Sequence, residues 1–307
     1  MSVPPTLRPG GPVPGDEWSL AADAPRAAVA EIDALMTQPE HLGLTLAVVL
    51  VQGGRIVHEA YSPTAGPGTP LVSWSMAKSV THALVGMAVA DGSLDLGAPA
   101  PVPEWQDDVR SAITLEHLME MRSGLTFVED YVDDSISHCI DMLFGTGKAD
   151  VASYAAALPL EHAPGTHWSY SSGTTNIVCR ILGDVAHGGP GGSGAERSAA
   201  MRALLQRRLF APLGMNTADP RFDEAGTFIG SSFLYASARD FARFGLLYLR
   251  DGVWGDRRVL PAGWSDDARR PTPVPPEEGV AYGRHWWLWD QLGRAKPTWS
   301  CRPRSKH

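Results

Sequence analysis

The sequence predicts a mixed α/β domain, an antiparallel sheet flanked by helices and interrupted by an all-helical lobe. Three observations carry that expectation. Near the start, "LGLTLAVVLVQGGRIVHEAYS" sets a mostly apolar run and an alternating run on either side of Gly53-Gly54, the pattern of a β-hairpin. The middle of the chain is dominated by segments of helical periodicity. "AYGRHWWLW" at 281–289 then returns to strand-like alternation. Strands, a long helical middle and strands again describe an α/β lobe with a helical insertion, and ligand clefts commonly form between two such lobes.

Each element has its own signal. An apolar-periodic helix is expected from about Ser75 through Val80, Leu84 and Met87 to Asp91-Gly92, where glycine suits the C′ position. In "ITLEHLMEMRSGL" (113–125), Leu115, Leu118 and Met119 have helical spacing, and the helix is expected to stop at Gly124. Residues 150–158 and 174–187 are further helix candidates, joined by "GGPGGSG" (188–194) to a strong helix, "AERSAAMRALLQRRLFAPLGM" (195–215), that Pro212 is expected to end. "SARDFARFGLLYLRDG" (237–252) reads as a helix with Ser237 as its N-cap. The expected organisation is a flexible leader and first helix over 1–40, a domain over 41–289 with its helical lobe within about 75–225, and an atypical basic tail over 290–307.

Composition narrows the function classes. The 307 residues are 44% hydrophobic, enough for a large core, and the formal net charge is −8. No basic stripe interleaved with aromatics is present, so a nucleic-acid or anionic-membrane partner is not expected. The apolar stretch 42–51 is far too short to span a bilayer, and the first residues lack the basic-then-apolar pattern of a secretory signal. Cys139, Cys179 and Cys301 are odd in number and scattered, which argues for a reducing, cytoplasmic setting without a disulfide framework. There is no H-E-x-x-H and no paired ligand spacing among the ten histidines, so neither a metal nor another cofactor is expected.

Chemistry enters at "SWSMAKSV". Only four of the 26 basic residues are lysines, and Lys78 is the sole lysine before residue 148. Arginine is effectively never deprotonated, whereas a lysine held away from water can be. Ser75 and Lys78 stand at i, i+3 and so share one side of the helix beginning there. The partial positive charge and free N–H groups of a helix N-terminus favour an alkoxide developing on the serine. A neutral amine beside a serine is a general base beside a nucleophile, and the Ser75 N–H is placed to donate to an oxyanion. The plain alternative is an N-cap serine followed by a solvated lysine, since four-letter motifs recur by chance.

The surrounding residues decide between these. At this point the chain resembles the serine β-lactamase and penicillin-binding-protein superfamily, in the branch of class C β-lactamases, family VIII esterases and 6-aminohexanoate-dimer hydrolases. "SWSMAKSVTHALVGMAVADGSLDL" looks like that family's nucleophile helix. "ITLEHLMEMRSGL" is similar to its T-x-x-x-L-L-x-H-x-S-G-L segment, with Arg122 where histidine is usual. "APGTHWSYSSGTTNIVCRIL" resembles its second motif, "RLFAPLGM" a helix end, and "SSFLYASARDFARFG" its Gly-Gly-Leu segment. The resemblance implies a β-lactamase/transpeptidase-like fold and a serine hydrolase acting through an acyl-enzyme. It places Tyr170 in the second motif as a proton relay between Ser75 and Lys78. The substrate-contacting asparagine of that motif is replaced by Ser172, a shorter substrate-binding group. Carboxylic ester or small amide substrates are therefore expected rather than β-lactams.

The family's third motif, Lys-Thr-Gly or His-x-Gly, should follow "YGRHWWLW", and nothing there fits. From Asp290 on there is one acid against five bases, inverted from the rest of the chain. This break suggests a shifted reading frame or a truncated gene near Leu292, loss of the final strands, and impaired activity. The competing reading is a catalytically inactive remnant or ligand-binding module of the same fold. "FGTGKAD" (144–150) lacks the full phosphate-loop pattern and reads as a loop. Trp286, Trp287 and Trp289 are candidates for an acyl pocket or for core packing, with Trp286 and Trp287 on opposite faces.

Overall fold

A computed structural model describes residues 13–15, 17–21, 26–37, 43–131, 137–276 and 281–288. Helix α1 (Arg26–Thr37) is followed by the hairpin of β1 (Ala47–Gln52) and β2 (Arg55–Tyr61), antiparallel with Gln52 opposite Arg55. Gly53 and Gly54 have φ of 61° and 79°. Two successive left-handed residues make a tight turn that matches strand twist, and glycine alone adopts them without strain. Leu20 extends this sheet by a parallel bridge to Ile56. Three short strands, β3 (Leu71–Val72), β4 (Asp219–Pro220) and β5 (Leu234–Ala236), form a second antiparallel ladder in the order β3-β5-β4. A small hairpin pairs β6 (Val253–Trp254) with β7 (Arg257–Arg258).

Helices fill the interval between these ladders. Helix α2 (Ala77–Ala90) is buried on nearly every side, consistent with its run of small and apolar residues. It follows a 3₁₀ turn at Trp74–Met76, so Ser75 lies in the turn and Lys78 in the first turn of the helix. Gly92, at φ 71°, closes it as the sequence predicts. The segment 113–125 departs from expectation. Helix α3 covers only Leu115–Met119, capped by Thr114 and His117, and Met121 at φ 59° turns the chain away before Gly124. Helices α4 (His138–Phe144) and α5 (Val151–Ala156) lead to α6 (Ser172–His187), the partner of α2 in the core.

Helix α7 (Gly194–Leu205) runs on through a π-helical stretch, Gln206–Phe210, and a last turn, Ala211–Leu213, that ends at Gly214 with φ 68°. The expected stop at Pro212 is thus displaced to Gly214. The widened turn lies before a residue that has no N–H to donate to the carbonyl four positions back. Helix α8 (Ala238–Leu249) has Ser237 as its N-cap, accepting from the Asp240 N–H at 3.2 Å. A short helix α9 (Trp264–Ala268) packs its indole against α2.

The last described segment, 281–288, is a turn rather than the continuous strand its alternation suggested. Tyr282 and Trp287 form a single antiparallel bridge, and His285 sits between them at φ 57°. Two neighbours clip it to the body. Arg284 is buried among Glu116, Glu120 and Asp267, its Nη1 2.5 Å from Asp267 and its Nε 3.2 Å from Glu120. His285 donates from Nδ1 to the Met119 carbonyl at 2.8 Å and accepts from Thr175 Oγ1 at 3.0 Å. Arg122, the departure from the family's histidine, also pairs with buried Glu120. The tail 290–307, including Cys301, lies outside the described residues, as do Trp289 and the region where a third motif was sought.

Two predictions follow from this packing. A Cβ at Gly86 would overlap the indole of Trp264, whose Nε1 donates to the His82 carbonyl and whose ring stacks on His82 at 4.7 Å. On an open helix Gly→Ala gains roughly 1 kcal/mol, but forcing a methyl onto a pinned ring costs about 1–3 kcal/mol. Gly86→Ala is expected to lower the thermal midpoint; a raised midpoint contradicts the packing.

Burial holds His285 at about 3, far below the ordinary value, and lowers His82 in the same direction. Between pH 6.5 and 3 the unfolded chain binds protons that the folded chain refuses. Stability is therefore complete above pH 6.5 and falls as pH drops, by about 2 kcal/mol for His285 at pH 5. His285→Asn, which tolerates the left-handed backbone, is expected to lose less of its urea midpoint between pH 7.5 and 5 than the wild type. An equal loss in both proteins refutes the assignment.

Candidate active site

The site is assembled around Ser75. The 3₁₀ turn that carries it is entered through Trp74 at φ 44°, a conformation that costs a residue with a Cβ roughly 1–2 kcal/mol. Ser73 holds the turn against the sheet. Its N–H donates to the Leu234 carbonyl at 2.8 Å, and its hydroxyl accepts from the Leu234 N–H at 3.2 Å. The Trp74 ring rests 5.7 Å from Phe233, which in turn meets Phe144 at 5.9 Å. Trp74, Met76 and Phe144 remain 55%, 54% and 59% exposed, so an open apolar wall flanks the serine.

Lys78 returns to Ser75 across one helical turn, Nζ to Oγ 3.3 Å. It is only 1% exposed. Its Nζ also donates to Ser172 Oγ and to the Ser231 carbonyl, each at 3.0 Å. The approach of that carbonyl depends on Gly230, where a Cβ would stand 2.5 Å from both Cys179 Sγ and Thr81 Oγ1. Nζ further lies 4.8 Å from the centroid of the Tyr170 ring, a cation–π distance.

Ser172 opens helix α6, whose N-cap Ser171 accepts from the Thr174 N–H. The orphan N–H of Ser172 is taken by Glu129, Oε2 at 2.7 Å, while its hydroxyl donates to Glu129 Oε1 at 2.6 Å. The Tyr131 hydroxyl donates to the same carboxylate. Burial pushes the Cys139 thiol up to about 12 and raises the phenols of Tyr131 and Tyr282 above their ordinary value, so all three stay protonated.

Of the residues singled out from sequence, Ser75, Lys78 and Ser172 are brought into one hydrogen-bonded cluster. Tyr170 is brought beside it by its ring. The ring stacks on Trp287 at 5.2 Å and meets Tyr282 edge-on at 6.0 Å. Its buried hydroxyl has no hydrogen-bond partner among the described residues. Trp287 faces this cluster and Trp286 packs on Tyr248 at 4.6 Å, on opposite sides as alternation predicts. "FGTGKAD" is a turn closed by Asp141, which accepts from the Thr146 N–H and hydroxyl. Glu129 escaped the sequence reading. It sits in the acidic run "VEDYVDD", where no spacing separates it from residues of a solvated face.

Among the described residues, no group of three or more His, Cys, Asp and Glu side chains is placed to hold a metal ion. No helix among them is long and apolar enough to cross a membrane.

The beta-lactamase family model matches residues 29–301. The chain is 24% identical over 287 residues to a 6-aminohexanoate-dimer hydrolase of Paenarthrobacter ureafaciens, covering 86% of this chain and 70% of the relative. A solved Bacillus anthracis structure, provisionally assigned as a 6-aminohexanoate-dimer hydrolase, superposes with a TM-score of 0.68 at 22% identity, over 83% of this chain and 67% of that one. A penicillin-binding protein from Bacillus halodurans gives a TM-score of 0.62 at 18% identity, over 84% and 85%. At these identities the structures establish the fold.

Proposed function

The chain belongs to the beta-lactamase family, and on that footing we propose that it is a serine hydrolase cleaving a carboxylic ester or small amide through an acyl-enzyme on Ser75. The observation that carries the reading is the buried Lys78 Nζ in hydrogen-bond contact with Ser75 Oγ. Ser75 attacks the carbonyl carbon and its proton passes to Lys78, the general base. The Ser75 N–H stabilises the oxyanion. Tyr170, whose ring centroid lies 4.8 Å from Lys78 Nζ, relays the proton to the leaving group, a step that requires its hydroxyl, bonded to no described residue, to turn toward that proton. Water then cleaves the acyl-enzyme.

The substrate side is argued from the wall of Trp74, Phe233 and Phe144. Half-exposed aromatic surface beside a nucleophile suits an uncharged, apolar arm of an ester or amide. The relative named for hydrolysing 6-aminohexanoate dimer, an amide, supports the same bond class.

A fluorophosphonate probe tests the nucleophile. Wild type is expected to be labelled on Ser75 and Ser75→Ala not at all, with Lys78→Ala slowed by on the order of a thousandfold. Absence of labelling in well-folded wild type favours a non-catalytic binding module instead. The wall is tested with p-nitrophenyl acetate against butyrate. Burying two methylenes favours the longer ester by on the order of tenfold in kcat/KM, and Trp74→Ala is expected to erase most of that preference. An unchanged ratio places the acyl arm elsewhere.

A further inference from the structure

We infer that Glu129 is a positioning residue of this site: acting through Ser172, it aims the lone pair of Lys78 at Ser75 and balances the charge Lys78 acquires. The inference rests on the serine-hydrolase reading above and goes beyond it by assigning a fourth group.

The argument is one of hydrogen-bond direction. The Glu129 carboxylate accepts three bonds, from the Ser172 N–H, the Ser172 hydroxyl and the Tyr131 hydroxyl. All three are donors, one of them an orphan N–H at the start of the 16-residue helix α6, so every bond the carboxylate makes here is one it accepts. An ionised Glu129 only accepts, so the single proton of Ser172 Oγ is committed to it. Ser172 Oγ can then meet Lys78 only as an acceptor, at 3.0 Å. The Ser231 carbonyl, also at 3.0 Å, is an acceptor by its chemistry. A neutral lysine has two N–H bonds and one lone pair. Both N–H bonds are claimed by these two acceptors, and the position left over faces Ser75 Oγ.

During acylation the Ser75 O–H bond breaks and an N–H bond forms on Lys78. The lysine becomes an ammonium whose three N–H bonds then point to Ser75, Ser172 and Ser231. The Glu129 carboxylate, one hydroxyl away, stabilises that cation. Without Glu129 the Ser172 hydroxyl is free to turn its proton toward Lys78 and claim the lone pair itself.

Glu129→Gln removes the charge and keeps the shape. Among the described groups around Lys78 and Glu129, Tyr131, Cys139, Cys179 and Tyr282 stay protonated, burial keeps His285 uncharged, and the Tyr170 ring lies over Lys78. The acid limb of kcat/KM is therefore the readout of the proposal. Removing a carboxylate near an amine disfavours the protonated amine, so the limb is expected to move to lower pH by about half a unit or more. At the plateau kcat is expected to fall on the order of ten- to a hundredfold, with KM little changed. Glu129→Asp should recover part of kcat and move the limb back. Thermal melting monitors folding. If Glu129→Gln does not fold, Ser172→Ala is read in the same way, with a fallen kcat and a limb moved to lower pH expected. An unmoved limb, or wild-type kcat, overturns the assignment, since a merely structural role lowers activity at every pH alike. Failure of wild type to label at Ser75 overturns the parent reading instead, so the two failures are distinct.

Discussion

A lysine amine sealed from water at the junction of three chain segments is the constraint on which the rest of this structure depends. Burying an ammonium or an amine without partners is costly, and Lys78 is 1% exposed. The partners come from separate places: Ser75 from the turn before α2, Ser172 from the first residue of α6, and Ser231 from the loop before β5. Each must arrive to within about 3 Å for the others to be useful. The Gly230 backbone, the left-handed Trp74 and the packing of α2 against α6 all serve that convergence.

The same logic explains the segment 281–288. Its aromatic residues would have little to hold them as an isolated turn. Arg284 among three acids and His285 between Met119 and Thr175 fix it against α3, α6 and α9. Buried ion pairs contribute little net stability against apolar replacements, but a broken one is expensive. They specify position, and here the position set is that of Trp287 and Tyr282 against Tyr170.

Much of the site was legible because its chemistry is local. Ser75 and Lys78 meet across one helical turn, so their spacing alone predicts contact, and the Gly53-Gly54 hairpin and the Ser237 cap are equally short-range. The misjudged elements depend on distant partners. Helix α3 stops early because Met121 is turned left-handed, with its carbonyl bonded to the Ser169 N–H. The alternation of 281–289 described two faces correctly and the backbone wrongly, because His285 bends at φ 57° to reach the core.

Sequence by itself determined the mixed fold class, the resemblance to serine hydrolases, and the pairing of a serine with a lysine at i, i+3. Tertiary structure decided what surrounds that pair. Ser172 reads in sequence as a shortened substrate contact; in the fold its hydroxyl bridges Lys78 and Glu129, 43 residues away. The Ser231 carbonyl carries no side-chain signature at all. Tyr170 approaches Lys78 with its ring face. The physical reason is common to all three. A hydrogen bond has direction, and across loops of this length the direction of a donor or acceptor is set by packing that no local pattern encodes.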